Sequence, residues 1–146
     1  MMTASLPRQD SRSRVRTTLL LAGAGVIAIA VNAAIAAAAI TLGAPSGYGP
    51  LTVPANALLT IVGLAIGWVG WLFVQSRSRN PRRTLMVLVP LVTLLSFVPD
   101  ILLLAVRFVP GTNAPAVIAL MLMHLVVVAC AVPAYWLASR ERAHRN

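Results

Sequence analysis

TLMVLVPLVTLLSFVPDILLLAV, residues 84–106, runs for 23 positions with a single charge, Asp100. A bilayer core about 30 Å thick is crossed by roughly 20 consecutive apolar residues in a helix, so a run of this length reads as a transmembrane span. Working outward, three further runs pass the same test. Residues 17–42 and 55–74 carry no ionisable group, and residues 115–138 carry His124. The chain as a whole is 59% hydrophobic and only 10% charged, where a soluble domain has about a quarter of its residues charged. The expected fold is therefore all-α, an integral membrane bundle of four helices spanning 17–138.

The connections set the topology. Residues 43–54 form a neutral stretch rich in Gly and Pro that reads as a loop, and 75–83 and 107–114 are short. Short connections make successive helices antiparallel neighbours, hence an up-down bundle. Residues 1–16 are expected to be a disordered basic arm and 139–146 a basic tail. The length of the first apolar run exceeds a signal-peptide core, so it is expected to be a retained anchor.

All twelve basic residues are arginine, and eleven of them fall on one side of this topology. The first arm holds Arg8, Arg12, Arg14 and Arg16, the second connection Arg77, Arg79, Arg82 and Arg83, and the tail Arg140, Arg142 and Arg145. Arg107 alone stands on the other side. Short loops rich in Arg remain cytoplasmic, so both termini are expected in the cytoplasm of a cell-membrane protein, facing anionic headgroups. Trp68, Trp71, Tyr135 and Trp136 precede the basic flanks, as interfacial aromatics should. A net charge of +9 would suggest nucleic acid in a soluble chain; clustered between apolar runs it reports topology instead, and no nucleic-acid partner is expected.

In lipid, helices associate through small residues and occasional polar contacts. Gly63, Gly67 and Gly70, continued by Thr60 and Asn56, form a small-residue stripe on the second helix, and Gly25, Ala28, Asn32, Ala36 and Ala39 form another on the first. The glycine stripe fits packing within the bundle or a homo-oligomer. On the third helix Thr93, Ser96, Asp100 and Arg107 share one side, which should face protein, and Pro90 and Pro99 each remove a backbone donor.

Asp100 demands a partner, since a central aspartate costs about 2.5–3.5 kcal/mol in a membrane helix. At about 1.5 Å per residue, Asp100, His124 and Asn32 lie roughly 10–15 Å deep from the arginine-poor side, with Arg107 two turns outward. A buried polar cluster of Asp100, His124, Asn32 and Arg107 follows, either a clasp between helices or a proton site. Catalytic motifs are absent: the sequence holds no Gly-x-Ser-x-Gly, HExxH, P-loop or Rossmann pattern, so no enzyme activity, cofactor or catalytic residue is expected. One Asp, one His and the lone Cys130 are too few ligands for a metal site; Cys130 reads as a small buried hydrophobe.

The segments PLVTLLSFVPDILLL, which carries Phe97, Pro99 and Asp100, and AVIALMLMHLVVVACAVP, which carries Met123 and His124, complete the picture together with the four-span layout. In these the chain resembles DUF6069, a family of small actinobacterial membrane proteins of unknown function. The resemblance covers 17–138 and implies the same four-helix membrane topology; it implies no activity.

Overall fold

The computed structural model describes residues 8–107 and 109–143, with side chains from 14 to 107 and 109 to 140. Four long helices account for almost all of it: α1 Arg8–Thr41, α2 Val53–Arg77, α3 Pro81–Val106 and α4 Ala114–Ala143, with one 3-10 turn at Gly49–Leu51. All four are long and apolar enough to cross a membrane. The fold is the all-α membrane bundle expected.

The helices outrun the apolar segments, chiefly at the arginine-rich end. α1 begins at Arg8, not near residue 17, and at 34 residues is roughly 50 Å long. Residues 8–16 of the expected disordered arm are thus helical, and the tail is helical as far as Ala143; residues 1–7 and 144–146 lie outside the described region. Once lipid has paid the cost of nucleating a helix, each added turn needs only propagation, and arginine propagates well.

Proline and polar residues set the other boundaries. Pro54 lies in the first turn of α2, and Pro81 opens α3, where a missing N–H costs nothing. Arg107 ends α3 in a left-handed conformation, φ 53°, with its N–H returned to the Leu103 carbonyl at 2.9 Å.

Each helix packs on its neighbours in chain order, and α4 also touches α2 across the bundle. The most extensive interface is α1 on α4, a seam of buried alanines. Ala28, Ala36 and Ala39 from one helix meet a face of the other that carries Ala116, Ala119 and Ala138. Small side chains let the backbones close, the source of helix affinity in lipid. α3 buries the least of its surface.

The two loops at the arginine-poor end pack as a cap. Tyr48, 2% exposed, sits in the core, its hydroxyl 3.2 Å from Thr112 Oγ1. Asn113 donates to the Gly43 carbonyl at 2.7 Å and accepts from the Ala116 N–H, capping α4. Gly111, φ 85°, lies so close to this loop that a Cβ would stand 3.3 Å from the Pro45 ring. Gly111 therefore answers both a backbone and a packing demand.

Candidate functional site

Asp100, His124, Asn32, Asn56 and Thr60 form two separate polar groups within the spans. α3 presents Asp100 and α4 presents His124, whose Nδ1 is 3.3 Å from Asp100 Oδ2. The same Nδ1 is 2.9 Å from the Leu120 carbonyl one turn back. Two oxygens converging on one nitrogen require that nitrogen to carry the hydrogen, leaving Nε2 as the other ring atom. Asp100 is 5% exposed, and its Oδ2 has no donor in good hydrogen-bond geometry. Proximity, not an ideal bond, joins the pair. The Phe97 ring stands edge-on to the imidazole at 6.3 Å.

The second group joins α1 to α2. Asn32, 1% exposed, donates from Nδ2 to Asn56 Oδ1 at 3.2 Å and to Thr60 Oγ1 at 3.4 Å, and Thr60 donates to Asn56 Oδ1 at 3.2 Å. Asn32 Oδ1 and Asn56 Nδ2 are left without partners. Exchanging the O and N of both amides preserves the Asn–Asn bond and again strands one acceptor and one donor.

Both groups border one groove of about 360 Å³, to which Asn32, Asn56, Thr60, Thr93, Ser96 and His124 contribute. Thr93 and Ser96 spend their hydroxyl hydrogens on their own helix, at the Val89 and Thr93 carbonyls.

Of the four residues expected to form one cluster, the structure joins Asp100 and His124. Asn32 bonds to α2 instead, because α1 packs against α4 and α2 and has no substantial contact with α3. Arg107 makes no ion pair with Asp100 among the described residues. The helix ends at Val106, so the register that would stack Arg107 two turns above Asp100 is broken by its left-handed turn.

The glycine stripe also divides. Gly67 receives Tyr135: an added Cβ would lie 2.7 Å from the tyrosine hydroxyl, which donates to the Leu64 carbonyl at 2.6 Å. A Cβ added at Gly63 or Gly70 would meet nothing within 4 Å, so within the bundle only Gly67 of the three is closely packed against another helix. Near the arginine-rich end Trp71 Nε1 donates to Ser139 Oγ at 2.7 Å, and Ser139 to the Tyr135 carbonyl. That tie between α2 and α4 had its signal in the interfacial aromatics, which sequence reading took for headgroup anchors alone.

No group of three His, Cys, Asp or Glu side chains comes together among the described residues. Comparison with known proteins matches the chain to a family model that aligns with residues 9–141 and thus takes in nearly the full length of all four helices. The chain belongs to the DUF6069 family. This is a family of unknown function, so membership assigns no role to Asp100 or His124. No curated protein and no solved structure matches the chain.

Proposed function

We propose that this multi-pass membrane protein is a non-enzymatic accessory or scaffold subunit of a cell membrane, with both termini cytoplasmic, and that Asp100 and His124 clasp α3 to α4. The observation that carries the reading is the isolation of the pair. Between residues 17 and 138 Asp100 is the sole carboxylate and His124 the sole imidazole, so within the spans a proton leaving either meets no further group of these kinds toward the arginine-rich end. A buried acid held against a neighbouring helix instead removes the cost of its own burial and fixes helix rotation. The eleven-to-one arginine asymmetry supports the orientation.

A second reading, a proton-coupled transport component acting as an oligomer, draws on one specific feature. The His124 side chain is 40% exposed and borders a groove that is also lined by Asn32 and Asn56, each of which has one unpartnered amide atom. Reconstitution separates the two. Liposomes containing the protein and an internal pH dye, subjected to a pH gradient, are expected to leak protons no faster than empty ones. A leak that Asp100→Asn and His124→Gln each abolish would replace the clasp with a relay.

A further inference from the structure

The arginine-rich end holds a second groove, larger than the first and unlike it in chemistry. It has a volume of about 620 Å³ and lies between α2, α3 and α4, a size ordinary for small-molecule sites. Its mouth is polar and basic. Arg82 from the first turn of α3 and Arg140 from the last turns of α4 flank it, with Gln75 and Ser139 beside them. Its depth is apolar: Leu85, Met86, Val89 and Val132 line the walls. From Arg82 to Pro90 the lining follows α3 for roughly 12 Å. Positive charge at the membrane boundary thus grades into hydrocarbon along one continuous surface.

We propose that this groove binds one anionic phospholipid, its phosphate between Arg82 and Arg140 and an acyl chain along the α3 wall. Charge complementarity selects the occupant. The chain has three acidic residues, and the one whose side chain is described, Asp100, is roughly 27 Å along α3 from Arg82. Among the residues whose side chains are described, no carboxylate lies within ion-pair distance of either guanidinium. Arg140 is instead laid over the Trp136 ring at 4.4 Å, which positions its guanidinium at the mouth. The start of α3 adds to the field. Its N-cap Asn80 makes no side-chain capping bond and Pro81 has no N–H, so the Arg82 and Arg83 N–H groups carry the partial positive charge of the helix start. A planar fork of N–H donors suits phosphate in particular. The apolar depth favours a lipid over a free phosphate, and the sparse burial of α3 leaves the groove within lateral reach of the bilayer. This site stands apart from the Asp100–His124 pair, and neither depends on the other.

Tryptophan quenching tests it, because Trp71 and Trp136 both line the groove. The full-length protein is reconstituted into bilayers doped with brominated phosphatidylglycerol or brominated phosphatidylcholine. Preferential quenching by the anionic lipid is expected, corresponding to a relative affinity on the order of twenty-five-fold, with each of the two arginines worth roughly fivefold. Arg82→Gln with Arg140→Gln should bring the two lipids to parity, Arg82→Lys with Arg140→Lys should keep most of the preference, and Arg79→Gln, outside the groove, should leave it intact. Val89→Phe fills the apolar wall with both arginines in place and should weaken the anionic lipid by several-fold. Equal quenching by both lipids overturns the proposal. So does an Arg79→Gln effect as large as that of the groove pair, which would reduce the preference to general surface charge. Loss of the preference on adding inorganic phosphate at matched ionic strength also overturns it, since the groove would then be a phosphate site.

Discussion

Removing His124 should destabilise the protein more than removing the charge of Asp100, and removing that charge should rescue the loss of His124. With His124→Leu the imidazole is replaced by an apolar side chain of similar bulk. The bond to the Leu120 carbonyl is a small loss, because that oxygen also sits in the helix ladder. The large loss is at Asp100 Oδ2, which then has no polar hydrogen opposite it in a site 5% exposed. Polar contacts between membrane helices are worth about 0.6–1.7 kcal/mol, and an uncompensated aspartate in a membrane helix costs about 2.5–3.5 kcal/mol. The pair at 3.3 Å lacks ideal geometry, so His124→Leu should cost about 2 kcal/mol, between those bounds. Asp100→Asn removes the charge along with the contact and should cost about 1 kcal/mol or less. Added to His124→Leu it should recover stability, giving a coupling energy of at least about 1 kcal/mol. Reversible unfolding by dodecyl sulfate in mixed micelles, followed by circular dichroism, measures all four corners of the cycle. Additivity within about 0.5 kcal/mol would refute the clasp.

Three further outcomes follow from the same contacts. Gly67→Ala places a methyl group 2.7 Å from the Tyr135 hydroxyl and should cost about 1–3 kcal/mol in the same unfolding assay, whereas Gly63→Ala and Gly70→Ala, with open space around them, should be neutral or slightly stabilising. A loss at Gly63 or Gly70 that depends on protein concentration would instead reveal a second copy seated on that face. Asn32→Leu should cost about 1 kcal/mol, and Asn32→Leu with Asn56→Leu less than the sum of the two, since the double change leaves neither amide without its partner. For orientation, Ser46→Cys should react in intact cells with a membrane-impermeant maleimide and Asn80→Cys should not, each in a Cys130→Ala background; the opposite pattern would invert the topology.

The existence of four spans was legible because apolar run length is a local quantity. Their inner limits were not, because an apolar run marks the hydrocarbon and the helix does not stop there: α2 continues through Gln75 to Arg77 and α1 reaches back to Arg8. The depth shared by Asp100, His124 and Asn32 also came from counting along single helices, and it brought these residues to one half of the bundle. Depth leaves rotation open. Which of two residues at one level meet is decided by which helices adjoin and how each is turned, and Asn32 faces α2 because the alanine seam commits α1 to α4. Arg107 failed for a different reason, since one left-handed residue undoes an i+7 relation that the helical pattern would grant it. Tyr48, Thr112 and Asn113 escaped because loops that read as neutral and breaking give no sign of packing on each other.

These partners also account for where the bundle is open. Asn32, Asn56 and Thr60 tie α1 to α2, Asp100 and His124 tie α3 to α4, and the alanine seam joins the two pairs along α1 and α4. Leu85 and Val89 pack on the Leu64 and Trp71 cluster, but among the described residues no such hydrogen bond or ion pair is seen between α2 and α3 within the spans. Their connection is only Ser78–Asn80, held by Ser78 Oγ and Thr84 Oγ1 at 2.7 Å, so they are forced together at one end. Beyond that turn, α2 and α3 flank both grooves, the polar one beside Thr60 and Thr93 and the basic one beside Trp71 and Arg82, with α4 as the floor of each. The α2–α3 side is therefore the side on which these two grooves lie. Interhelical polar contacts and small-residue packing supply the affinity between helices in lipid. A pair without either leaves surface for something else to cover, and on this face the charge gradient from Arg82 inward fits a lipid better than another helix.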